Sequence, residues 1–148
     1  MIGVRRFFIA MALLLTTLPM AIAEDHPALL GDWTIRTLDP DASSFSGRAK
    51  IVFDAENNVY RAEMITEDTC CNGDNYAKVQ QAARIDFNDD VINIRGEIEA
   101  FLILEEKRPE ISYSPDNFEL VQIDALTMRG RLNGYVDVEW TKRRQAIS

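Results

Sequence analysis

The stretch Ile65–Ala77, ITEDTCCNGDNYA, sets Cys70 and Cys71 side by side in a polar turn of a 148-residue chain with no other cysteine. Adjacent Cα atoms lie about 3.8 Å apart across a trans peptide, whereas an unstrained disulfide wants roughly 4.4–6.8 Å. A bond between these two is therefore strained and readily reduced, and it closes almost no loop. Such a bond would rigidify the turn, offer a flat apolar contact or act as a redox switch. The rival uses are an intermolecular bridge, free thiols or metal binding. A tetrahedral soft-metal site wants four ligands, and the single histidine, His26, stands far away in sequence. Asp68 and Asp74 flank the pair, but DTCCNGDN lacks the alternating oxygen ligands of a calcium loop. No metal and no cofactor is expected.

Catalytic constellations are weaker still. One histidine and no serine in a nucleophile-elbow setting leave a hydrolase triad without a base. Glu97, Glu99, Glu105 and Glu106 are close in sequence, but acids this abundant read as a solvated surface. The segment Ser112–Leu120, SYSPDNFEL, is a proline turn flanked by Tyr113 and Phe118. Its aromatics either pack back on a core or edge a loop that meets a partner. The residues point to binding rather than catalysis.

The elements that must position these residues are strands. The chain opens MIGVRRFFIAMALLLTTLPMAIA, with two arginines, a short apolar run, a proline and a small-residue end. That is the pattern of a cleaved signal peptide over residues 1–23, since a membrane span needs about 20 apolar residues. The expected location is the periplasm or the exterior. Without residues 1–23, 24 acidic residues face 14 basic ones, a formal charge of −10. That balance disfavours nucleic acid, whose phosphates demand a basic surface. Residues 24–148 are the length of one domain, and no membrane span is expected in them.

Along that domain the hydrophobic period is two. Trp33 and Ile35 share a face, as do Ala49, Ile51 and Phe53, then Tyr60, Ala62 and Met64, then Ala77, Val79, Gln81, Ala83, Ile85 and Phe87. A long run from Val91 to Glu106 follows, able to bend at Gly96, with Glu99–Glu106 as an alternative helical turn. Three further strands close the chain, the last two joined by Asn133-Gly134, a type I′ hairpin signal. About eight antiparallel strands hide their edges best by closing, so the expected fold is an all-β up-and-down barrel, with a β-sandwich as alternative.

LLGDWTIR, with Gly31 two residues before Trp33, and VEWTKRR at the other end resemble the calycin superfamily of lipocalins, fatty-acid-binding proteins and avidin-like barrels. That resemblance implies that Trp33 closes the barrel bottom while Arg143 or Arg144 covers its ring, a cation–π contact worth roughly 0.5–2 kcal/mol. The Gly-x-Trp opening is also similar to small periplasmic barrels that inhibit secreted metalloproteases, whose well-separated disulfide this chain lacks. An eight-stranded barrel is either filled or holds one small ligand. Tyr60, Ala62, Met64, Gln81 and Ala83 are the candidate ligand-binding residues. Small residues around one polar group outline either a pocket or the taper of a packed interior. The leading expectation is a binding protein for a small or lipid-like molecule. Its rival is a protein-binding module acting through the loops around Cys70 and Tyr113.

Overall fold

The computed structural model describes residues 25–39 and 44–144, so the expected signal peptide and residues 40–43 lie outside the described residues. Eight antiparallel strands follow in order: β1 Gly31–Thr37, β2 Ser44–Asp54, β3 Val59–Cys70, β4 Asn75–Asn88, β5 Val91–Glu106, β6 Asn117–Asp124, β7 Thr127–Leu132 and β8 Val136–Lys142. Each pairs with its neighbours in sequence, and β8 returns to β1 from Trp33 opposite Lys142 to Thr37 opposite Val138. The sheet is a closed barrel, not a sandwich. No described helix is long and apolar enough to cross a membrane.

Alternation decides which residues fill the interior. Trp33, Ile35, Ile51, Tyr60, Ala62, Met64, Ile94, Leu120, Met128, Val138 and Trp140 are buried in one continuous core. Turn chemistry sets the register. Asn133 and Gly134 adopt φ of 51° and 81°, the left-handed pair that a type I′ hairpin between β7 and β8 needs. Gly130 permits the closest strand approach, because a Cβ there would lie 1.8 Å from the Glu119 carbonyl oxygen of β6.

The barrel end that holds the β2–β3, β4–β5 and β6–β7 hairpins is sealed. Trp33 is fully buried and donates its indole N–H to the Leu29 carbonyl at 2.8 Å, tying the short turn Pro27–Leu29 beneath the sheet. The cation over the Trp33 ring is Lys142, 5.5 Å from its centroid, with Nζ donating to Ala28 O at 2.9 Å. Arg143 and Arg144 are exposed, and the backbone of Arg143 bonds Asp32 O. Strand alternation explains the one-residue correction: Lys142 is the residue paired with Trp33 across the seam.

The region Glu99–Glu106 is strand, not helix. β5 pairs β4 along its whole length, with two bulges that leave Leu102 and Glu99 without opposite residues. Those bulges break the period of two and leave Phe101, Leu102, Ile103 and Leu104 each partly exposed, with the Phe101 ring edge-on to Tyr113.

Candidate functional site at the open barrel mouth

The opposite end of the barrel is where polar chemistry collects. There β3 runs into the cysteine turn and β5 runs into the loop 107–116, which is stitched to that turn. Asn75 replaces a strand partner: its side-chain amide donates to Arg108 O at 3.0 Å, and its carbonyl accepts Arg108 N–H at 2.9 Å. Lys107 N–H donates to Asp74 O at 3.1 Å.

Cys70 and Cys71 are bonded to each other as a vicinal disulfide, their Cα atoms 3.8 Å apart. Cys71, Asn72 and Gly73 all take positive φ, so the turn is tight and left-handed. Beyond fixing that turn, Cys70 forms part of the wall of a cavity of about 200 Å³ at the mouth. At roughly 30 Å³ per water, that is space for about seven waters or one small organic molecule.

The cavity floor is built around Asp116, which is 3 % exposed. Its Oδ2 accepts from Gln81 Nε2 at 2.6 Å, from Tyr113 O–H at 2.6 Å and from Thr66 O–H at 2.8 Å. Gln81 returns the contact, its Oε1 accepting the Asp116 backbone N–H at 3.0 Å. Gly96 makes the approach possible, since a Cβ there would sit 2.5 Å from Asp116 O and 2.7 Å from Gln81 Oε1. Its N–H donates to that same Asp116 carbonyl at 3.0 Å.

Asp68 stands beside this cluster on β3. Its Oδ1 is buried and meets no donor among the described residues. Burial and, next, the nearby Asp116 raise its pKa; burial likewise raises that of Asp116 against the pull of its three donors. Tyr113 is raised too, mainly by burial and then by Asp116, so its phenol stays a donor. Two further tyrosines, Tyr76 and Tyr135, line the cavity, with Leu104, Ile111 and Val136 as apolar wall. The charged lining residues are Asp68, Glu106 and Asp116, with no lysine, arginine or histidine among them.

The five expected ligand-binding residues are distributed unevenly about this site. Gln81 holds the floor. Met64 lies just beneath, its Cε 3.3 Å from where a Gly96 Cβ would stand. Ala62 and Ala83 face each other across β3 and β4 in the packed core. Tyr60 is at the sealed end, where its hydroxyl oxygen accepts the His26 backbone N–H at 3.2 Å and its ring meets Phe53 and Phe87 edge-on. Thr66 and Asp116 are site residues that periodicity alone did not single out. The signal for Asp116 was available in Gln81, a polar residue on an inward face that required a buried partner.

A second depression, about 470 Å³, involves the outer wall among Arg48, Lys50, Glu63, Gln80 and Glu99, with charges of both signs. Among the described residues, no three histidine, cysteine, aspartate or glutamate side chains converge to hold a metal ion. Compared with known protein families and with curated proteins, the chain matches no family model and no curated relative.

Proposed function

We propose that the protein binds a small organic cation, an ammonium group on a short apolar body, at the barrel mouth. One observation carries this reading: a small cavity whose charged lining is wholly acidic, with tyrosines and an apolar wall around it. A carboxylate oxygen buried without a donor, as at Asp68, is costly until a cation or a proton meets it. Tyrosine faces add attraction for a cation, while Leu104, Ile111 and Val136 suit its apolar part. The packed interior supports a mouth site over a lipid held within the barrel.

Membership of a calycin-like group is part of the proposal, supported by the eight-stranded closure and the sealed Trp33 end. Periplasmic or extracellular location is a further part, supported by the leader pattern of residues 1–23 and by the disulfide, which persists in oxidising compartments. A protein partner seated on the same rim is the second reading, favoured by Tyr135, which lines the cavity yet is 77 % exposed.

Calorimetric titration with butylammonium, butanol and butyrate tests the proposal. Butylammonium should bind, and Asp68→Asn should weaken it about tenfold, as loss of a partly buried charge contact does. Equal binding of butyrate, or no binding of the ammonium, would refute it.

A further inference from the structure

The strand β5, whose residues Leu104 and Glu106 reach the cavity wall, carries a second inference along its outer edge. β6 pairs with β5 only from Val91 to Arg95, and Gly96 is the last β5 residue bonded on that side, through Asp116 O. From Glu97 to Glu106 the strand is paired to β4 alone. The loop 107–116 returns beside this segment, with Asp116 O on the Gly96 N–H and the Tyr113 ring edge-on to Phe101 at 6.2 Å, but among the described residues none of its backbone bonds reaches 97–106. The barrel is closed, yet it carries a free strand edge ten residues long.

Three features of that edge differ from the usual protection of exposed strands. It is long, it has no proline, and its centre is Phe101-Leu102-Ile103-Leu104, each 42–46 % exposed. Charge is confined to the two ends: Glu97 and Glu99 before the apolar centre, Glu105 and Glu106 after it. Neighbouring cations are Arg95 and Lys107 just outside, Arg108 engaged by Glu110 at 3.1 Å, Lys78 on β4 engaged by Glu67 at 3.4 Å, and Arg48, Lys50 and Arg143, which share a depression with Glu99.

We infer that the β5 edge Glu97–Glu106 is a docking site for an extended segment of another protein, with an apolar centre and lysine or arginine at its ends. Such a segment would add a strand through main-chain hydrogen bonds, with side chains deciding specificity. Charge complementarity selects this occupant over a second copy. The whole chain has a formal charge of −8, and an antiparallel self-pairing centred on Leu102 sets Glu99 against Glu105. Like charges directly opposite destabilise a strand pair.

The test uses the whole secreted-length protein and two short fluorescent peptides that share a Val/Thr/Ile centre and end in either lysines or glutamates. The lysine-ended peptide should bind about tenfold tighter, weaken with salt and slow amide exchange at 97–106. Leu102→Lys with Ile103→Lys should abolish binding; both residues are exposed and neither lines the mouth cavity, and an unchanged circular dichroism spectrum and melting temperature report that the barrel is intact. Glu99→Lys with Glu105→Lys should reverse the preference to the glutamate-ended peptide. Equal binding of both peptides, no protection at 97–106, or a dimer in sedimentation that buries this edge would overturn the inference.

Discussion

Asp116 gathers three donors on one carboxylate oxygen inside a barrel wall, and its removal leaves them only their contacts with one another, Gln81 Nε2 to Thr66 Oγ1 at 2.9 Å and Thr66 with Tyr113 at 3.2 Å. An unsatisfied buried donor costs about 1–3 kcal/mol. Asp116→Ala should therefore lower the unfolding free energy by about 1–3 kcal/mol in urea titration, while Tyr113→Phe, which loses its bond to Asp116 and its contact with Thr66, should cost about 1 kcal/mol. The pH dependence follows from the raised pKa values of Asp68 and Asp116. A folded carboxyl that holds its proton more tightly than the unfolded one contributes stability fully present below the ordinary value of 3.8 and lost as pH climbs through the raised value. Cation affinity should run the other way, rising as the same groups ionise. Titrations from pH 4 upward, with and without butylammonium, check both slopes. In the sequence this pair was only half legible. Gln81 stood out on an inward face, but Asp116 after Pro115 reads as a turn former, and only the direction in which the 107–116 loop folds turns it into a floor.

Strands β3, β4 and β5 set what those residues can do. Ala62 and Ala83 are opposed in the packed core, so Ala62→Leu should cost about 1–3 kcal/mol by overpacking and leave ammonium affinity unchanged in the folded fraction. Gly96→Ala should have the opposite profile, because its Cβ would push on both Asp116 and Gln81. Ammonium affinity should fall severalfold there, read by the same calorimetry, as a displaced polar cluster loses its bonding geometry. The inward faces of β1 to β4 were legible because apolar and polar residues alternate along them, with breaks at Thr66 and Gln81 on the inner side and Ile65 on the outer. β5 was not, since two bulges near Glu99 and Leu102 are set by pairing with β4 rather than by local composition. The same limit applies to Lys142: a terminal run of three basic residues does not say which of them pairs with Trp33 on a strand more than a hundred residues earlier.

Across the whole molecule, closure rests on the β1–β8 seam, which is held outside as well as within. Glu139 on β8, 6 % exposed, accepts Arg36 from β1 at 2.6 Å and Arg129 from β7 at 2.8 Å, and these two contacts hold its pKa below the ordinary value. A lowered carboxyl pKa contributes stability above the unfolded value and loses it as pH falls through the folded one. Glu139→Gln should accordingly flatten the loss of melting temperature on acidification, a change that calorimetry on both proteins detects. The barrel was legible from eight alternating runs and their turns, and its closure from the need to hide strand edges; which β1 and β8 residues meet was not, because that pairing joins two strands more than a hundred residues apart. Yet this seam also brings the two ends of the described chain together, with Arg143 N–H donating to Asp32 O at 2.8 Å and Lys142 Nζ reaching Ala28. Chain order is thus partly arbitrary for this architecture: a circular permutant with a short linker joining the old ends, cut open between Asn133 and Gly134, preserves every strand pairing and begins and finishes at the mouth instead.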